Sequence, residues 1–109
     1  MSPDDDLTQR IRAELKGAQD LVEKKMFGGV AFMIRGNLAC GTHRGNLIVR
    51  VGPKKNAEAL GKPHTKPFDM TGKPMAGWVM VEPKGYETEA DLKRWIQQGV
   101  EFALSLPAK

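Results

Sequence analysis

Few residues in this chain are of types that do chemistry. The lone cysteine, Cys40, lies in the run Leu38-Ala39-Cys40-Gly41-Thr42, and a thiol becomes a nucleophile only beside a base or a positive charge. His43 is three residues on, about 10 Å away in an extended strand and on the opposite face. The spacing therefore predicts a buried structural thiol. One cysteine excludes an internal disulfide. With His43 and His64 as the only histidines, no Cys/His pair has metal-ligand spacing. Asp69 and Glu82 are the carboxylates that an acid/base pair would use, but nothing in their spacing brings them together. Arg50 is more informative. It interrupts the apolar run Leu47-Ile48-Val49-Arg50-Val51, and a guanidinium there suits bidentate binding of a carboxylate or phosphate. The simpler expectation is an ion pair with Glu82 or Asp69 across a sheet.

Gly28-Gly29 is the other local candidate. Adjacent glycines serve either as a backbone cradle for an anion or as a bend or close approach in a strand. No helix start with a phosphate-loop lysine follows, so the bend is expected. Trp78 falls in an alternating run and is expected in the core, although an exposed indole would anchor a partner. A small-molecule pocket would collect Arg50, Asp69 or Lys73. The candidate binding set is Gly28, Gly29, Arg50, Asp69, Lys73 and Trp78. No catalytic residue, metal ligand or cofactor is implied.

The elements that must position these residues are organised around 26–52. Three apolar runs, Val30–Ile34, Leu38–Thr42 and Leu47–Val51, are divided by two copies of Arg-Gly-Asn-Leu, at Arg35–Leu38 and Arg44–Leu47. Gly and Asn tolerate positive φ, so each copy reads as a tight hairpin turn and the whole as an antiparallel meander. Leu21–Phe27 alternates and is read as a strand entering the sheet. Leu7, Ile11 and Leu15 form an apolar stripe on a first helix at about residues 4–16, with Ser2 as its cap and Gly17 as its stop. Pro53–Gly61 is a short helix, and 62–76 is loop with a short strand at Pro67–Met70. Gly77–Glu82 is the last strand. Thr88 caps a closing helix whose stripe runs through Leu92, Trp95, Ile96, Gly99, Phe102, Ala103 and Leu106 to Pro107.

The central strands are apolar on both faces, whereas a sheet with one wet face alternates more cleanly. Helices are expected on one face, and a second copy of the chain or the 62–75 loop on the other. The 109 residues suffice for one domain, 1–109, with a real core. No apolar run approaches a membrane span, and the acidic N-terminus lacks the order of a signal peptide, so a cytoplasmic protein is expected. The net charge of +4 is unevenly spread. Residues 24–84 carry 11 Lys/Arg against Glu58, Asp69 and Glu82, or +8, while both ends are mildly acidic. A basic middle attracts nucleic acid or an acidic partner, or is simply a solvated surface.

Four stretches together resemble the TfoX N-terminal domain family. They are Met26–Met33, Asn37–Gly41, Leu47–Pro53 and Phe68–Val79, and the closing Leu92–Trp95 and Phe102–Pro107 segments are similar too. The resemblance spans nearly the whole chain. It implies a bacterial protein with an α+β two-layer fold like that of secretion chaperones, an antiparallel sheet with flanking helices. The family is named for a competence regulator that acts as a transcriptional co-activator with the cyclic-AMP receptor protein and carries a second, C-terminal helical domain. This chain ends at Lys109 and is expected to be a stand-alone single-domain member. The resemblance implies no reaction and no catalytic residue.

The functional expectation is a non-enzymatic binding or regulatory module with a protein partner in the transcription machinery. The alternatives are a small-molecule binder or enzyme with a pocket near Arg50, Asp69 and Lys73, and a weak, non-specific nucleic-acid binder.

Overall fold

The computed structural model describes residues 3–18, 20–26, 29–68 and 76–107. Helix α1 (Pro3–Glu14) leads into β1 (Leu21–Met26), β2 (Gly29–Ile34), β3 (Asn37–His43) and β4 (Asn46–Arg50). A 3-10 turn (Pro53–Lys55) runs into the short α2 (Asn56–Leu60). Then come β5 (Thr65–Pro67), β6 (Trp78–Val81), a second 3-10 turn (Pro83–Gly85) and α3 (Glu89–Ser105). The six strands form one antiparallel sheet in the order β1-β2-β3-β4-β6-β5. This is the α+β fold expected from the sequence, with the β1–β4 meander at its centre.

Both repeated tetrapeptides make hairpins, but with a different residue pair at the turn. Arg35 and Gly36 (φ 53° and 82°) and Arg44 and Gly45 (φ 49° and 82°) take the left-handed positions, which twist the turn to match the strands. Asn37 and Asn46 already belong to β3 and β4. Asn37 is buried, and its Nδ2 donates to the Pro107 carbonyl at 2.9 Å, tying the β2–β3 turn to the chain after α3. The β2–β3 register slips by one residue: Phe32 faces Cys40, but Met33 faces Leu38. Ala39 is the extra residue of this bulge, and it packs with Ile34 and Ala103 on the helical side.

One sheet face carries Phe32, Cys40, Leu47, Val49, Val79 and Val81. These pack against Leu7 and Ile11 of α1, Leu15 directly after it, and Leu92, Trp95 and Ile96 of α3. The apolar stripe of α1 and the first half of that of α3 are therefore spent on this core. Thr88 Oγ1 accepts the Asp91 N–H at 3.1 Å, the expected cap. Ser2, the expected cap of α1, lies outside the described residues. The opposite face is also closed over much of its area. Ala31, Leu38 and Ile48 are buried within the single chain, as is Phe68, which follows β5. Three helices do not cover that face, and the Phe68 segment does so in part. Of the strand expected at Pro67–Met70, Asp69 and Met70 lie outside the described residues; β5 covers Thr65–Pro67, paired with Val79–Val81.

The described helices include none long and apolar enough to cross a membrane, and the described residues hold no cluster of three or more metal-ligating side chains.

Candidate functional site: the Arg50 platform

Strand β4 ends at Arg50, and β6 begins at Trp78 directly across from it. Neighbours in register share a face, so guanidinium and indole meet at the sheet end. Beyond Arg50 the backbone is pinned: the N–H groups of Val51 and Gly52 both donate to the Gly77 carbonyl, at 2.7 and 3.1 Å. Gly52 has φ 88°, and a Cβ there would run into the Phe102 ring. The missing side chain is what lets Phe102 of α3 reach the end of β4. As a result the Arg50 guanidinium carbon lies 5.3 Å from the Trp78 ring centre and 5.2 Å from that of Phe102. The aromatic contacts continue behind it. Phe68 stacks on Trp78 at 6.2 Å, and His43 meets Phe68 edge-on at 5.8 Å.

This placement overturns Glu82 as the ion-pair partner expected for Arg50; Asp69, the other expected partner, lies outside the described residues. Glu82 pairs with Lys66, at 3.9 Å. It follows β6 at the far end of that strand from Trp78, about 13 Å along it, out of reach of Arg50. Among the described residues no carboxylate forms an ion pair with Arg50, and its flat cation is held by rings instead.

Beside Phe102 a cleft of about 470 Å³ opens between α3 and the turn that follows β4. Val51, Gly52, Pro53 and Phe102 line its apolar part, and Lys54, Lys55, Gln98 and Glu101 its polar part. An apolar floor with a few convergent polar groups is the make-up of ligand and partner sites.

Of the residues singled out from sequence, Arg50 and Trp78 are brought together. Trp78 is half-buried at the platform, whereas Trp95 is the core indole. Gly29 is elsewhere: a Cβ on it would overlap the Thr42 carbonyl oxygen, so it serves the close β2–β3 approach that paired glycines suggest. Gly28, Asp69 and Lys73 lie outside the described residues. Sequence reasoning missed Gly52 and Phe102. The signal was a glycine directly after an apolar strand, but the partner ring sits 50 residues on, within a stripe that reads as core. Cys40 is fully buried, and burial pushes its thiol up to about 12, which removes it as a nucleophile at neutral pH.

The segments that build this platform fall within one family pattern: residues 13–103 match the family model of the TfoX N-terminal domain. The chain belongs to that family. No curated protein and no solved structure matches it. The matched range of this TfoX N-terminal domain takes in the whole sheet and most of α3, including Arg50, Gly52, Trp78 and Phe102.

Proposed function

We propose that this TfoX N-terminal domain is a non-enzymatic binding module with a regulatory role, and that it holds a partner protein at the Arg50 platform. The observation that carries the reading is the Arg50–Trp78–Phe102 cluster with its adjacent apolar cleft. Arginine and tryptophan are the residues in which interface binding energy concentrates, and a ring-held guanidinium loses little freedom on meeting a carboxylate. The family's competence regulator points to a partner in the transcription machinery. The experiment is a titration of the chain into cyclic-AMP receptor protein bound to fluorescently labelled promoter DNA, read by anisotropy. A saturable rise that Arg50→Ala weakens about tenfold supports the reading. A rise unaffected by Arg50→Ala, or none at all, contradicts it.

A second reading rests on the cleft itself, whose 470 Å³ is in the range of small-molecule sites. An apolar small ligand would then contact Val51 and Phe102, and ligand-observed NMR with a fragment set separates this case from a protein partner.

A further inference from the structure

A second cleft lies along α3 toward its N-terminus, where Arg94 is about 12 Å along the helix axis from Phe102. It encloses about 370 Å³ between the Lys62–His64 segment, the Pro83–Gly85 turn and the first turns of α3. Its walls are tied to one another. The Glu82 N–H donates to the His64 carbonyl at 2.8 Å, and Trp95 Nε1–H donates to the Gly85 carbonyl at 3.3 Å. Four basic side chains line it, Lys62, His64, Lys84 and Arg94, against one carboxylate, Asp91. The Lys62 ammonium sits over the Trp95 indole, 4.9 Å from the ring centre.

The positive charge in this cleft is only partly compensated. Lys66, close by in sequence, pairs with Glu82, and Arg12 and Arg35 pair with Glu23 and Asp20. Among the described residues Lys62, Lys84 and Arg94 form no ion pair. Three permanent cations and one carboxylate leave +2 on walls that the backbone holds in place. All three cations are solvent-exposed, and a cleft rimmed by an excess of one sign of charge favours an anion there.

We propose that this cleft binds the phosphate of a small soluble phosphomonoester. A phosphomonoester carries close to two negative charges at neutral pH, which matches the site. Arg94 offers a fork to two oxygens, and Lys62 and Lys84 act as point charges. The volume exceeds what bare phosphate needs, so the ligand has a body as well. That body is compact and polar. The Trp95 ring is already covered by Lys62 and is only 5% exposed, so no planar base stacks there. Asp91 is placed to accept from a hydroxyl group, as on a sugar or polyol phosphate.

The test is a titration of the isotopically labelled full chain with glycerol 1-phosphate at constant ionic strength, following the two tryptophan indole N–H signals by NMR. The Trp95 signal should move saturably and the Trp78 signal should stay in place. Inorganic phosphate should act more weakly and glycerol not at all. Arg94→Gln and Lys84→Gln should each weaken binding by about five- to tenfold, with Lys24→Gln on β1 unchanged. Unaltered spectra elsewhere would show that the variants fold. Lack of saturation, an equal response to chloride, or full binding by the Arg94 and Lys84 variants would overturn the proposal. So would tighter binding of duplex DNA, or of vesicles containing phosphatidic acid, than of glycerol 1-phosphate, since the cleft would then serve a polymer backbone or a membrane surface.

Discussion

Cys40 and Arg50 stand on neighbouring strands and meet opposite environments. Cys40 faces the helices, is fully buried, and its thiol is pushed up by desolvation to about 12 from an ordinary 9.0. Native protein should therefore react slowly with a thiol reagent at pH 8 and quickly in denaturant; rapid native labelling would contradict the burial. The same shift sets a pH dependence. A raised folded-state value favours the protonated form, so its contribution to stability is complete below pH 9 and is lost as pH climbs toward 12. The stability difference between wild type and Cys40→Ala, from urea melts between pH 8 and 11, should shrink with rising pH. Alternation along the strands foretells which face each of these residues takes. It does not foretell Arg50's partners, because nothing in β4 says that Phe102 comes to its end through the space left by Gly52.

At the scale of elements, the repeated Arg-Gly-Asn-Leu announces both hairpins, since two positive-φ positions between apolar runs leave the chain little alternative. The bulge at Ala39 is hidden for a plain reason. It adds one residue inside a run that is apolar throughout, so no break in pattern marks it. Yet at the bulge α3 lies hard against the sheet. A Cβ on Gly99 would overlap the Ala39 carbonyl oxygen. Gly99→Ala should cost about 1–3 kcal/mol in urea unfolding, despite the gain of about 1 kcal/mol that alanine brings to a helix. An unchanged or more stable variant would mean that α3 has room to lift.

For the whole molecule, the sheet is apolar on both faces because both carry buried side chains, one face packed by helices and the other including Ala31, Leu38 and Ile48 with Phe68. A homodimer, proposed from the sequence to cover the second face, would have to act through what one chain leaves open. Among the described residues the large exposed apolar side chains are Val22 on β1 and Leu104 on α3. Light scattering at micromolar concentration decides: twice the 12.0 kDa chain mass supports it and the single-chain mass refutes it. The two arginines of the repeated turns do not share one end of the sheet. Arg35 and Arg44 sit at opposite ends of β3, and Arg35 pairs with Asp20 at 3.6 Å. Binding of the isolated chain to duplex DNA should therefore be weak, insensitive to sequence and steeply reduced by salt. Submicromolar, sequence-selective binding at physiological salt would refute this.

Backbone amide NMR mapping decides whether the Arg50 platform is the surface that meets a partner. Labelled chain is titrated with cyclic-AMP receptor protein on promoter DNA, and separately with the same DNA alone. The complex should perturb Arg50, Gly52, Trp78 and Phe102 together, with Phe102→Ala abolishing the response, and DNA alone should leave these four in place. Perturbation by DNA alone, or by the complex at a surface that excludes these four residues, would contradict it.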